Sequence, residues 1–384
     1  MMRKICVVVG SRANYSSIKS AMSAIQRRKD LSLQVVAMAS ALLDRYGSVV
    51  DLIRKDGFPI DEEVHMLVEG ETPLTMAKST GLGLIELTTA FNRLQPDVVI
   101  TVGDRFETMS TTLAATYMNI ALAHTMGGEV TGTIDESIRH AITKFAHIHF
   151  PASQDAKERI IKLGEQPETV HLVGCPRIDL VADILHKLED IDLTHLFEDG
   201  VGNKLDINRP FVLLSQHPVT TEYGLDEEQI YQSLRAIKEM GLPAIVLWPN
   251  GDAGSDGISR GIRKFREHED TGQFHYFKNL PTDVYISLMK RTTCLIGNSS
   301  SAIRDGAFIG TPTVNIGSRQ NMRERGKNVI DVANNQQEIL QGIRQQMEHG
   351  HYASDDLYGD GKAGVRIAEV LATCEWQIQK TIAY

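Results

Sequence analysis

The sequence predicts an α/β protein made of two Rossmann-like domains. Three observations predict it. The chain has 384 residues, long for a single domain. Short β-branched runs alternate with helix-length periods, the mark of βαβ units on a parallel sheet. The alternation stops in a charged middle stretch and then begins again.

The first series opens with a predicted strand at Ile5–Val9 and a predicted helix at Tyr15–Arg27. Leu33–Ala37 reads as a strand, and Leu43–Lys55 and Lys78–Leu94 as helices. Asp97–Val102 is a strand, Thr108–Met118 a helix and Ile120–Ala123 a strand. His147–Pro151, Ala156–Leu163 and His171–Val173 continue as strand, helix and strand. Residues 182–208 are charged and rich in Gly and Asn, and read as a helix plus linker. Predicted strands resume at Phe211–Ser215, Ala244–Trp248, Phe274–Lys278, Cys294–Ile296 and Thr313–Ile316, with helices between them. Val365–Ile382 reads as a last helix, long enough to return to the first domain. The expected domains are 1–180 and 205–364, with 365–384 packing back on the first.

Composition narrows the partners. A net charge of −9 leaves no basic footprint for nucleic acid. An acidic chain still binds anions through local Arg residues and helix N-termini. Cys6, Cys175, Cys294 and Cys374 are widely spaced without a CxxC pair, as in a reducing compartment. Only five apolar residues follow Met1-Met2-Arg3-Lys4 before Gly10, too few for a signal peptide. No run reaches the ~18 apolar residues of a membrane span. The expectation is a cytoplasmic protein without membrane contact.

The chemistry concentrates at strand ends, where open α/β sheets bind ligands. The loop Gly127-Gly128-Glu129-Val130-Thr131-Gly132-Thr133-Ile134-Asp135-Glu136-Ser137-Ile138-Arg139-His140 packs a Gly pair, carboxylates, Arg and His between a strand and a helix. Another strand ends in Gly103-Asp104-Arg105-Phe106-Glu107. Asp104 there is either a helix cap or a cleft carboxylate. Asp135 and Arg139 are spaced for a helical ion pair. Together, Asp104, Glu129, Asp135 and Glu136 favour acid–base chemistry.

In the second half, Gly297-Asn298-Ser299-Ser300-Ser301 lies between a strand and a helix, as an anion nest does, without the Lys of a Walker loop. Gly317-Ser318-Arg319-Gln320 adds an Arg suited to phosphate. His217 follows another strand as a phosphate candidate. Trp248–Ser255 is a further polar strand end, with Asn250 and Asp252 as candidate substrate contacts. The first loop, Gly10-Ser11-Arg12-Ala13-Asn14-Tyr15-Ser16, is not GxGxxG, so NAD is not expected. His147 and His149 alternate on one strand but lack further ligand spacing, and read as structural rather than metal-binding.

With these motifs the chain resembles the hydrolysing UDP-N-acetylglucosamine 2-epimerases of sialic-acid and related nonulosonate pathways. The residues that carry the resemblance are SRANYS (11–16), GDRFET (103–108), GGEVTGTIDESIRHAITK (127–144), HPVTTE (217–222), WPNGDAGSDG (248–257), GNSSSAIRD (297–305) and GTPTVNIGSRQ (310–320). The resemblance implies the GT-B-like architecture, a ligand cleft between domains, no cofactor, no metal and a homo-oligomer, dimer or tetramer. It implies anti elimination of UDP through a 2-acetamidoglucal, then hydration to the free manno sugar. Asp104, Asp135 and Arg139 match active-site positions, and His217 one near the diphosphate. Arg12, Ser16 and Arg105 match substrate contacts. Ser299, Ser300, Asp305 and Arg319 match nucleotide contacts, with Asp305 in place of a ribose-binding Glu. Tyr285 falls where an aromatic packs on uracil.

The chain departs from the family pattern at Asn14, usually acidic, at Ala41, usually His, and at Met126, often a catalytic Glu. Glu129 stands three residues further on. The parent substrate is UDP-GlcNAc. A less polar pocket would suit UDP-2,4-diacetamido-2,4,6-trideoxyglucose, on the way to legionaminic-type acids. A non-hydrolysing epimerase, a GT-B glycosyltransferase and an inactive binding protein are the rival readings.

Overall fold

The computed structural model describes residues 2–70, 72–131, 134–249 and 254–383. It divides into two compact units, one of residues 2–130, 134–180 and 359–383, the other chiefly of residues 181–358. Asn250 and Asp252 lie outside the described residues.

The first unit is built on six strands, β1 (Arg3–Val9), β2 (Leu31–Met38), β3 (Glu62–Val64), β4 (Val98–Val102), β5 (Ala121–Thr125) and β6 (Ile148–Phe150). All pair in parallel, in the order β3-β2-β1-β4-β5-β6. Parallel strands are covered on both faces and so need nearly continuous apolar runs. β4, VVITV, is buried at every residue. The connecting helices are α1 (Arg12–Ser16), α2 (Lys19–Gln26), α3 (Val49–Lys55), α4 (Pro73–Leu94), α5 (Phe106–Tyr117), α6 (Asp135–Phe145), α7 (Gln154–Lys162) and α8 (Pro176–Leu185). Leu87 and Phe91 of α4 and Ala114 and Ala115 of α5 join Cys6, Val36, Val99 and Leu122 in one core.

The second unit contains β7 (Val201–Gly202), β8 (Val212–Ser215), β9 (Ala244–Leu247), β10 (Phe274–Phe277), β11 (Cys294–Gly297), β12 (Thr313–Ile316) and β13 (Val329–Val332). Its order is β13-β12-β11-β8-β9-β10-β7, parallel except for the antiparallel edge β7. From β8 to β13 this repeats the strand order of the first sheet, the dinucleotide-fold order. Its helices are α9 (Asp226–Met240), α10 (Ser255–His268), α11 (Thr282–Arg291), α12 (Ser300–Ile309) and α13 (Gln336–His349). The chain then returns to the first unit as α14 (Ala363–Thr373), which packs on α2. The Asp179 carboxylate accepts the N–H groups of Ala363 and Gly364, at 2.9 and 2.7 Å, and so holds the start of α14.

Several elements differ from the sequence expectation. The helix expected over Tyr15–Arg27 is split into α1 and α2, because Ser11 caps an earlier start by accepting from the Asn14 N–H. The helix expected from Leu43 begins only at Val49, because Ser48 takes φ +40° and breaks the turn. His171–Val173 is not a strand; only Val170 bridges, to His149. β3, β7 and β13 were not expected; they are short or lie at sheet edges. The terminal helix ends at Thr373 rather than Ile382. The tail beyond it is fastened through backbone and charge, with Ala383 N–H donating to the Gly164 carbonyl at 2.8 Å. Val181, just beyond the first expected domain, joins the second unit's core with Phe211 and Leu295.

Candidate active site

The first unit gathers its charged groups at the C-terminal ends of β4 and β5. After β4 the chain turns at Gly103, φ +77°. Asp104 follows, but the cap position of α5 belongs to Arg105, and no side chain caps that helix. The Asp104 carboxylate instead forms an ion pair with Arg139, four residues into α6. After β5 the chain passes Met126, φ +60°, and the Gly pair. A Cβ at Gly128 would collide with the Ala156 carbonyl, so the loop lies flat on α7 only as glycine.

Arg139 organises the cluster. It is 1% exposed, against 24% for the side chain of Asp104. One terminal nitrogen donates to the Glu129 carbonyl and to Glu136 Oε2, both at 2.9 Å; the other donates to Asp104. Burial pulls the guanidinium pKa down, but Asp104, Glu129 and Glu136 outweigh it and raise it. A buried cation is tolerated only with such partners. Glu136 also meets His140 Nε2 at 2.8 Å. Arg139 therefore also pairs with Glu136, three residues back on its own helix. Asp135 is the first residue of α6. Glu129 is buried beside Arg139.

The departures from the family pattern have structural settings. Asn14 is buried; its amide donates to the Val102 carbonyl at 2.9 Å and its oxygen accepts the Gly10 N–H at 3.2 Å. It thus clips the first loop to the end of β4, and an acidic residue could not donate that bond. Ala41 is fully buried, its N–H donating to the Gly10 carbonyl. Met126 is buried, with the Cys175 thiol donating to its sulfur at 3.7 Å. The Cys175 sulfur thus lies against the Met126 side chain.

Arg12 begins α1, and its pKa is lowered by burial and by the nearby cation Arg177. Ser16 Oγ donates to the Ala13 carbonyl at 3.1 Å. Arg105 donates to the buried Glu107 at 2.9 Å.

The second unit places its candidates at the ends of β8, β11 and β12. His217 is held through its own peptide. Asn298 Oδ1 accepts the His217 N–H at 2.7 Å, and Asn298 Nδ2 donates to the His217 carbonyl at 2.9 Å. The Asn298 carbonyl in turn accepts from Arg319 at 3.1 Å and from Gln320 at 3.0 Å. Ser299 is the N-cap of α12, and Ser300 opens that helix. Ser301 Oγ lies 2.8 Å from both Ser299 Oγ and the Tyr285 hydroxyl. Asp305 is fully buried on α12.

His147 and His149 have structural partners. His147 takes the Leu122 N–H on Nδ1 and donates to the Ile378 carbonyl. His149 Nε2 lies 3.2 Å from Glu165. Among the described residues no group of three His, Cys, Asp or Glu could hold a metal. No helix among them is long and apolar enough to cross a membrane.

Sequence reasoning missed His124 and Asn298 as single residues. Each is a polar side chain at or just after a buried strand end, which is the signal that could have found it.

A family profile described as UDP-N-acetylglucosamine 2-epimerase matches residues 23–372. The chain belongs to that family. Among family relatives, UDP-N,N'-diacetylbacillosamine 2-epimerase (hydrolyzing) of Legionella pneumophila is 34% identical, over 97% of this chain and 96% of its own. The GDP/UDP-N,N'-diacetylbacillosamine 2-epimerase (hydrolyzing) of Campylobacter jejuni is 33% identical over 86% and 84%. A UDP-N-acetylglucosamine 2-epimerase of Neisseria meningitidis is 27% identical over 98% and 97%. In structure, a Neisseria meningitidis UDP-GlcNAc 2-epimerase bound to UDP-GlcNAc matches with a TM-score of 0.81 at 17% identity, over 96% of this chain and 99% of that one. The Methanocaldococcus jannaschii UDP-GlcNAc 2-epimerase in complex with UDP-GlcNAc and UDP matches at 0.80 and 15% identity, with the same coverage. These two likenesses establish the fold: GT-B-like, with two Rossmann-like units.

Proposed function

We propose that this family member is a hydrolysing UDP-sugar 2-epimerase. One observation carries the reading: Arg139, buried, draws Asp104 and Glu136 to the ends of β4 and β5, beside Glu129. A base takes the C2 proton, its electrons form the C1–C2 double bond, and the anomeric C–O bond breaks to release UDP. Water then adds its oxygen at C1 and a proton at C2 from the opposite side. C2–H is weakly acidic, so a placed base and a stabilised leaving group must both contribute. Asp104 and Asp135 supply the carboxylates, and Arg139 fixes the direction of Asp104. In this reading His217 acts near the diphosphate, and Arg12, Arg105 and Ser16 are substrate contacts. Ser299, Ser300, Asp305, Arg319 and Tyr285 hold the uridine end, with Asn250 and Asp252 as further contacts.

UDP-GlcNAc as substrate gives free ManNAc and UDP. A second reading, UDP-2,4-diacetamido-2,4,6-trideoxyglucose, draws support from the names of the Legionella and Campylobacter relatives and from the apolar setting of Met126 and Ala41. The free sugar would then enter sialic-acid-type or legionaminic-type synthesis. Four free cysteines fit a cytoplasmic setting, and the family suggests a homo-oligomer.

The test is to incubate each nucleotide sugar in D2O and follow it by NMR. Free, C2-deuterated 2-epimer plus UDP is the expected result. An epimerised UDP-sugar, or no change with both substrates, would overturn the reading. Faster turnover of UDP-GlcNAc would exclude the second substrate. Asp104→Asn should lower turnover at least about a thousandfold and leave UDP affinity within about threefold.

A further inference from the structure

One buried side chain of the first unit hydrogen-bonds to the backbone just before Asp104 and to a threonine one turn after Arg139. His124 lies on β5 and is 0% exposed. Its Nε2 is 2.9 Å from the carbonyl oxygen of Gly103, the residue before Asp104. Its Nδ1 is 3.3 Å from Thr143 Oγ1. Thr143, also fully buried, sits one turn after Arg139 on α6 and lies 3.0 Å from the Arg139 carbonyl. One imidazole therefore spans the segments that carry Asp104 and Arg139.

The chemistry fixes the tautomer. A carbonyl oxygen only accepts, so Nε2 carries the proton and Nδ1 accepts from the Thr143 hydroxyl, whose single proton is shared with the Arg139 carbonyl. Burial, against a smaller opposing pull from the Gly103 carbonyl, lowers the imidazole pKa to about 4, so the ring is neutral at ordinary pH. The bond has a clear task. Gly103 has φ +77°, and a glycine peptide can turn over at little cost. Anchoring its carbonyl sets the direction in which Asp104 leaves the strand. Gly127 serves the same contact, since a Cβ there would lie 2.9 Å from His124 Nδ1 and 3.0 Å from Thr143 Oγ1.

We propose that His124 is a positioning residue, holding Asp104 and Arg139 in reacting geometry through the Gly103 carbonyl and Thr143. This rests on the reading of Asp104 and Arg139 as catalytic. A misplacement of about 1 Å costs on the order of a hundredfold in rate. His124→Phe keeps an aromatic ring, somewhat larger, and removes both bonds; His124→Gln can return a donor to the Gly103 carbonyl. UDP release is measured with UDP-GlcNAc and with the diacetamido sugar, alongside thermal unfolding.

The expected result is a kcat about a hundredfold lower in His124→Phe, a KM within about threefold, and recovery of about tenfold or more in His124→Gln. Unchanged kcat in a folded His124→Phe overturns the proposal. So does a joint change of kcat and KM that Gln does not relieve, which is loss of packing alone. If His124→Phe does not fold, Thr143→Val decides: a kcat lowered about tenfold at constant KM supports the proposal, and unchanged kcat overturns it. Asp104→Asn runs in parallel. If that variant keeps full turnover, the site reading fails; if it is dead while His124→Phe is active, only the positioning role fails.

Discussion

At the scale of single residues, the site depends on polar side chains that replace missing backbone partners. Asn298 shows this most directly, since it satisfies both the N–H and the carbonyl of His217. Asn298→Asp keeps an acceptor for the N–H but turns a second oxygen toward the carbonyl. Stability should fall by about 1–3 kcal/mol, read from urea unfolding, and UDP affinity measured by calorimetry should weaken. Equal stability and affinity would mean that the amide is incidental. Asn14 follows the same logic: its amide donates to the Val102 carbonyl a bond that no carboxylate could supply.

At the scale of elements, the strands that position the site were legible and the connections were not. β1, β4, β5, β8, β11 and β12 are apolar runs buried on both faces, so their residues announce them. β3 and β13 carry Glu62, Glu63 and Asp331, because edge strands tolerate charge. The tail after α14 reads as helix in the sequence because Trp376, Ile378 and Ile382 continue an apolar rhythm. Its contacts are tertiary and no local pattern reveals them. Lys380 donates to the Ala146 carbonyl and meets Glu165, which also faces Lys144 and His149. Burial pushes the Glu165 carboxyl up, but hydrogen bonds from His149, Lys144 and Lys380 hold it down, to about 2 against an ordinary 4.5. A depressed acid stabilises the fold above its unfolded pKa and loses that contribution as pH falls. The Tm advantage of the native protein over Glu165→Gln should therefore be full above pH 4.5 and vanish as pH falls toward 2. Burial lowers the Lys380 pKa and so opposes part of that gain. An advantage independent of pH would remove the carboxylate from the account.

At the scale of the whole molecule, Asp104, Glu129, Asp135 and Arg139 belong to the first unit, and the serine loop and Arg319 to the second. The same strand order in both sheets explains why each unit offers its loops at strand ends. The return of the chain carries a further consequence, for synthesis. The first unit contains residues 359–383, and Asp179 caps α14 only once Ala363 and Gly364 exist. The second unit is one nearly continuous stretch. On the ribosome the usual N-terminal-first order is thus inverted. The first unit must wait roughly ten to forty seconds after residue 180 for its last helix, at ordinary elongation rates. Ribosome-stalled chains with residues 2–358 exposed should show a protease-resistant 181–358 segment and a cleavable 2–180 segment, and equal resistance would show that the first unit closes without its final helix.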